Sequence, residues 1–146
     1  MRFNKLIPEL GVIDFDKSIN FYVEIVGFKM EYFRGDGKQE HRFALISMQG
    51  SQLMIDEITD PGSKDDRFIT AKLEYPFGRG INFQIMVENA DSILSRLEKN
   101  RYPIHMGLKE NWYRQDDQLL GNKEFMVLDP DGYLLRFAED LGTKPL

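Results

Sequence analysis

The chain has 146 residues, of which 42% are hydrophobic and 29% charged, and a formal net charge of -5 at pH 7. This length suits one domain, and the composition is typical of a globular protein. The acidic balance argues against a general nucleic-acid surface, because phosphate binding needs clustered basic residues. The absence of cysteine excludes disulfides, thiolate zinc sites and cysteine nucleophiles.

The sequence also gives no indication of a membrane segment. No apolar run approaches the roughly 20 residues that a helix needs to span a bilayer. The first ten residues, MRFNKLIPEL, lack the apolar core of a signal peptide. We therefore expect a cytoplasmic protein that associates with neither membranes nor nucleic acid.

The first half of the chain alternates apolar patterns with turn signals. KLIPELGVIDF predicts a strand, and DKSINFYVEIVGF predicts a helix with Asp14 or Asp16 as its N-cap. Gly27 is expected to end that helix in a left-handed conformation. Three strands are predicted next, in FKMEYFR, HRFALISM and SQLMIDEI.

The second half repeats this order after a stretch rich in Asp, Gly, Pro and Lys. GINFQIMV predicts a strand and NADSILSRLEKN a helix capped by Asn89. Three further strands are predicted in YPIHMGLKENWYRQ, KEFMVLDP and YLLRFAED. The repeat indicates one domain over 1–146, with a first module at about 1–58, a linker at about 59–79 and a second module at about 80–146. The helices should cover one face of each sheet, and the other face should curve into a trough.

With this order of elements, the sequence resembles the vicinal-oxygen-chelate superfamily, and within it the glyoxalase/bleomycin-resistance-type proteins. The stretches that carry the resemblance are PELGVIDFDKSINFY, VGFKMEY, LMIDE, GRGINFQIMVENAD and EFMVLDPDGYLLRF. They fall in order across nearly the whole chain. The resemblance implies an α+β fold of paired βαβββ modules, whose curved mixed sheets form a concave trough, and usually a homodimer.

Many enzymes of this superfamily bind a divalent metal through four side chains, and the resemblance indicates the corresponding positions. They hold Ile7, Met54, Asn82 and Arg136. Ile7 has no lone pair, and the guanidinium of Arg136 stays protonated and would repel a cation. We therefore expect neither a metal nor another cofactor.

Strand alternation predicts which side chains line the trough. In GINFQIMV the helix-covered core should receive Ile81, Phe83, Ile85 and Val87. The same rule assigns to the trough Glu9, Met54, Asp56, Asn82, Gln84, Met86 and Arg136. Such a mixed lining suits a small-molecule cleft. Alternatively, Arg136 pairs with Glu9 or Asp56 and neutralises a buried carboxylate.

Aromatic residues supply a second indication of ligand binding. Phe33 ends an early strand, Phe43 begins the next, and Trp112 and Tyr113 lie together in a polar stretch. Aromatic rings near a trough stack planar ligands and attract cations. In bleomycin-resistance-like proteins such rings and acidic residues line a cleft formed by both subunits, and these four are the best matches by location. Alternatively, Trp112 covers a dimer interface or caps the core.

Three functions remain open at this point. The first is a metal-independent protein that sequesters a planar or cationic compound, as bleomycin-resistance-like proteins do. The second is a metal-independent enzyme of the same fold, such as a lyase or isomerase, with Glu9 or Asp56 as the base and Arg136 stabilising an anion. The third is an interaction module whose trough is filled by its own side chains.

Overall fold

The computed structural model describes residues 2–36, 38, 40–61 and 67–146, which form two four-stranded mixed sheets. The first sheet has the order β1-β4-β3-β2 and contains β1 (Glu9–Val12), β2 (Lys29–Arg34), β3 (Phe43–Met48) and β4 (Ser51–Glu57). The second has the order β5-β8-β7-β6 and contains β5 (Asn82–Met86), β6 (Met106–Gln115), β7 (Gln118–Leu128) and β8 (Leu134–Pro145). In each sheet the first and last strands of a module pair in parallel. The predicted α+β fold of paired βαβββ modules is confirmed.

A helical segment follows the first strand of each module. Helix α1 (Phe15–Ile19) continues as a π-helical segment, Asn20–Val26, and helix α2 spans Ala90–Lys99. The side chain of Asp14 caps α1 by accepting from the Lys17 backbone N–H, so Asp14 rather than Asp16 is the N-cap. Gly27 ends the π-helical segment with a φ of 102°, as predicted, and the Arg96 guanidinium occupies the space that a Cβ would need.

The helices cover one face of both sheets, and a single hydrophobic cluster lies between them. Phe21, Tyr22 and Val26 contribute from the first helical segment, and Ile93 and Leu97 from α2. The strands contribute alternate residues, among them Leu10, Val12, Ile46, Ile55, Ile85, Val87, Phe125 and Phe137. The prediction that Ile81 enters this core is wrong: Ile81 precedes β5 and is 54% exposed.

The turn between β7 and β8 joins the second module to the first. Tyr22 donates its hydroxyl hydrogen to Asp129 Oδ2 over 2.7 Å, and Ile13 donates its backbone N–H to Asp131 Oδ1 over 3.3 Å. Both carboxyl groups are buried. Burial raises the pKa of Asp129 to about 6, although its hydrogen bonds, such as that from Tyr22, act in the opposite direction. The carboxylates of Asp129 and Asp131 therefore form part of the contact between the modules.

The chain between the modules carries neither helix nor strand where it is described, and residues 62–66 of the predicted linker lie outside the described residues. The module boundaries themselves stay a prediction. Within the described ranges, no helix combines the length and apolar character that crossing a membrane requires.

Candidate functional site

The first sheet brings predicted site residues together on the face turned away from the helices, here called its helix-free face. Residues opposite one another in neighbouring strands share a face. Phe43 lies opposite Asp56, and Glu9 lies opposite Met54. Because Met54 and Asp56 are two residues apart on one strand, all four side chains lie on the same face. Strand alternation had assigned Glu9, Met54 and Asp56 to this face, whereas Phe43 was chosen by its location at the start of a strand.

A cleft of about 480 Å³ opens on this face. Its floor includes Glu9, Gly11, Asp56 and Ile58, and its opposite wall is the linker segment Phe68–Leu73. The backbone comes close to Ile58 at Gly11, where an added Cβ would lie 2.7 Å from Ile58 Cδ1. The cleft therefore lies between the sheet and the chain that leads to the second module.

Polar and aromatic groups surround the carboxylates of this cleft. His41 Nε2 lies 2.7 Å from Asp56 Oδ1. The ring of Phe43 lies 6.3 Å from that of Tyr32, and the guanidinium of Arg34 lies over Phe43 at 5.4 Å. This side of the sheet thus presents two aromatic rings beside an acidic group. Sequence reasoning assigned neither His41 nor Tyr32 to this face.

Tyr32 was overlooked because β2 contains an irregularity that simple alternation does not anticipate. The register between β2 and β3 shifts between Met30 and Tyr32, so Tyr32 lies opposite Leu45. Leu45 lies two residues after Phe43 and opposite Met54, so it and Tyr32 are on the helix-free face. Phe33 points instead to the helix side, where its ring lies 5.9 Å from that of Phe15. The expectation that Phe33 lines the trough does not agree with this orientation.

The second sheet carries the remaining polar candidates on its own helix-free face. Gln84 lies opposite Arg136, and Asn82 lies two residues before Gln84 on the same strand. Arg136 Nη1 is 3.5 Å from Glu124 Oε2, so its ion-pair partner is Glu124 and not Glu9 or Asp56, as one alternative had it. The enzyme hypothesis places Arg136 beside one of those two carboxylates, yet the fold puts the arginine in the other sheet.

The adjacent aromatic residues of β6 point to opposite faces. Trp112 lies opposite Gly121, where an added Cβ would fall 2.5 Å from the indole ring, and Lys144 Nζ lies 3.7 Å from the ring centre. Lys123 forms an ion pair with Asp91 of α2, so its side chain lies on the helix side of the sheet. Gly121, two residues earlier, is on that same side, and so is Trp112, which lies opposite it. Tyr113 takes the helix-free side and is 56% exposed. Trp112 and Arg136 therefore do not share a face.

The four positions at which the resemblance places metal ligands do not fit a divalent cation. They hold Ile7, Met54, Asn82 and Arg136. Arg136 brings a positive charge that forms an ion pair with Glu124. Within the part of the chain that the structure describes, no three His, Cys, Asp or Glu side chains are grouped so that they would hold a metal ion. These residues give no basis for a reaction step through a metal.

Comparison with known proteins matches the chain to one family and to bleomycin resistance proteins. A family model described as Glyoxalase/Bleomycin resistance protein/Dioxygenase superfamily matches residues 4–137. A bleomycin resistance protein of Geobacillus stearothermophilus is 28% identical over 141 residues, which are 92% of this chain and 96% of the relative. A bleomycin resistance protein of Staphylococcus aureus is similar to the same extent.

Solved structures agree in fold at lower sequence identity. A protein from the mobile metagenome of V. Pseudocholerae has a TM-score of 0.64 at 15% identity, over 95% of this chain and 96% of that one. A glyoxalase/bleomycin resistance protein/dioxygenase from Alicyclobacillus acidocaldarius has a TM-score of 0.59 at 19% identity, over 97% and 96% of the two chains. At such identities the likeness concerns the fold alone.

Proposed function

We infer that this chain, which belongs to the Glyoxalase/Bleomycin resistance protein/Dioxygenase superfamily, binds and sequesters a planar or cationic organic compound without a metal. The observation that carries the proposal is the cleft of about 480 Å³ between Phe68–Leu73 and the first sheet. Ligand pockets for small molecules have volumes of about 300–1,000 Å³. A trough filled by its own side chains, as an interaction module would have, would leave no such space.

Charge favours a cationic group on the ligand. Glu9 and Asp56 both line the cleft, and Lys72 in the opposite wall forms an ion pair with Glu74. Asp56 is largely shielded from solvent, with its side chain 19% exposed. A carboxylate in a partly buried position attracts a cation more strongly than one in bulk water, because the effective dielectric constant is lower there. His41 holds one oxygen of Asp56 at 2.7 Å and so fixes the orientation of the carboxylate.

The aromatic residues favour a planar ligand. Phe43 lies opposite Asp56 in the sheet, and Tyr32 packs beside Phe43. The guanidinium of Arg34, itself a planar cation, lies over Phe43, and a planar cationic ligand that displaced it would lie near Asp56. A cation over an aromatic face contributes about 0.5–2 kcal/mol in such surroundings.

We propose further that the protein acts as a cytoplasmic homodimer in which the partner copy completes the cleft. Large apolar side chains are exposed on the helix-free faces, among them Tyr32 and Met86 at 44% and Tyr113 at 56%. A second copy of the chain would remove such surface from water. The absence of cysteine agrees with a reducing compartment. Sedimentation of the purified protein tests the dimer directly.

The binding proposal is tested by calorimetric titration of metal-stripped protein with bleomycin, which the names of the relatives suggest, and with proflavine, a planar aromatic cation. Asp56→Asn and Phe43→Ala are compared with Asp116→Asn, which removes a carboxylate from the exposed β6–β7 turn. We expect saturable binding that Asp56→Asn and Phe43→Ala each weaken about tenfold, equivalent to about 1.4 kcal/mol, and that Asp116→Asn leaves unchanged. If neither compound binds, or if neither Asp56→Asn nor Phe43→Ala weakens binding, the proposal is refuted.

A further inference from the structure

We propose that Arg136 and Glu124, with Asn111 and Asn122, form a second recognition site for a planar group that carries both a hydrogen-bond acceptor and a donor, such as a primary carboxamide. The site lies on the helix-free face of the second sheet, whereas the floor of the cleft belongs to the first sheet. It goes beyond the proposed function and does not depend on it.

Three neighbouring strands bring these side chains together. Asn122, Glu124 and Met126 lie on β7. Arg136 of β8 lies opposite Met126, and Asn111 of β6 lies opposite Asn122. Glu124 is only 5% exposed. Its carboxylate lies 3.5 Å from Arg136 Nη1, and the amides of Asn111 and Asn122 each donate to it over 3.4 Å. A buried carboxylate is thus surrounded by three donor side chains.

The contacts within this group are loose. Hydrogen bonds to a carboxylate from a charged donor are usually about 2.7–2.9 Å long, whereas every contact that Glu124 makes here is 3.4 or 3.5 Å. Arg136 Nε is buried and has no hydrogen-bond partner among the described residues. A buried donor without an acceptor destabilises the folded chain. A bound acceptor toward which the guanidinium turns would recover part of this cost.

The charges of the pair determine which ligand group fits. Arg136 offers only donors, and Glu124, as a carboxylate, offers only acceptors. A ligand carboxylate would pair with Arg136 but be repelled by Glu124. An amidinium would pair with Glu124 but be repelled by Arg136. A carboxamide presents its oxygen to the guanidinium and its NH₂ to the carboxylate. Gln84, opposite Arg136 on β5, and Met126 supply a polar and an apolar neighbour on the same face.

Three probes of nearly the same shape separate these possibilities. Benzamide carries an acceptor and a donor, benzoate only acceptors, and benzamidine only donors. Each is titrated into the 146-residue protein and followed by the ¹H–¹⁵N resonance of Arg136 Nε–Hε, which is assigned with Arg136→Lys. Arg114→Lys is the matched control for an arginine outside the site, because Arg114 is exposed and its Nε already donates to the Asp116 carbonyl oxygen.

We expect benzamide to shift the Arg136 resonance at millimolar concentration and to bind about tenfold more tightly than benzoate or benzamidine. Glu124→Gln should reverse the order of benzamide and benzoate, because the repelling carboxylate is gone. A purely structural role of the pair predicts no such reversal. The proposal is overturned if benzoate or benzamidine binds best to the unaltered protein, if none of the three shifts the resonance, or if Glu124→Gln leaves the order unchanged. Asp56→Asn should leave the binding of benzamide at Arg136 unchanged. A negative result for this second site can therefore be distinguished from a negative result for the cleft.

Discussion

Replacing Asp129 by asparagine tests whether the contact between the two modules contains a carboxyl group whose charge is disfavoured by burial. The pKa of Asp129 is raised from its usual 3.8 to about 6. A carboxyl group with a raised pKa binds its proton more tightly in the folded than in the unfolded chain. Its contribution therefore makes the folded chain more stable as the pH falls from neutrality through about 6 towards 3.8.

The size of the effect follows from the shift. A change from 3.8 to about 6 corresponds to about 3 kcal/mol when the proton is fully bound in the folded chain only. At about pH 5 nearly half of this is present, about 1.4 kcal/mol relative to about pH 7.5. For a domain of this size, that difference raises the melting temperature by about 3–5 °C.

Asparagine preserves most of the local geometry. Its Oδ1 can accept the backbone N–H groups of Asp131 and Tyr133, which now donate to Asp129 Oδ1 over 2.9 Å each. Its amide can donate to the hydroxyl oxygen of Tyr22, which loses only its present acceptor. The variant has no proton to bind at this position, and the nearby Asp131 carboxyl no longer has a charged Asp129 beside it.

The measurement is urea unfolding of both proteins at several pH values between about 5 and 7.5. The unaltered protein should gain about 1.4 kcal/mol relative to Asp129→Asn as the pH falls over this range. Two parallel curves would refute the reasoning, since they would mean that Asp129 titrates alike in the folded and unfolded chains. A relative loss of stability at the lower pH would show that its hydrogen bonds outweigh its burial.

Two further predictions concern local packing and capping. Gly121→Ala should destabilise the fold by about 1–3 kcal/mol, because the new Cβ would lie 2.5 Å from the Trp112 ring. The control variant Gly107→Ala, with nothing within 4 Å of its Cβ, should change stability little. Equal effects of the two variants in thermal unfolding would contradict this prediction. Asn89→Ala should cost about 1 kcal/mol in the same assay, because the side chain accepts the Ser92 N–H over 3.0 Å at the start of α2. An unchanged melting temperature would mean that this cap contributes no stability.

The sequence sufficed for the fold because its signals were local and repeated. Asp14 and Asn89 mark helix starts and Gly27 marks a helix end. Alternation in SQLMIDEI, INFQIM and YLLRFAED placed Met54, Asp56, Gln84 and Arg136 on the helix-free faces. Alternation failed where a strand is irregular or ends. The register shift in β2 exchanges the sides of Tyr32 and Phe33, and Ile81 falls just outside β5.

The contacts that characterise the two sites depend on pairing between strands, which one-dimensional patterns do not specify. Glu124 is charged and follows Lys123, so its sequence suggests a solvated residue, yet β6 and β8 enclose it. His41 lies before β3, and only the pairing of β3 with β4 brings it to Asp56. No signal in the sequence identified either partner. The wall formed by Phe68–Leu73 likewise depends on the path of the linker, which composition alone leaves undetermined.

The residue at the fourth metal-ligand position has a further consequence for how such a fold can bind ligands. An arginine at position 136 removes a site for a cation, and the buried Glu124 beside it provides the opposite charge within the same sheet. The two charges largely cancel, so what remains is a directional pair of donors and acceptors rather than a net charge. In the first sheet, the acidic side chains of Glu9 and Asp56 line the floor of the cleft. The two proposed sites would therefore take different ligand groups, a cation on the first sheet and a neutral planar amide on the second.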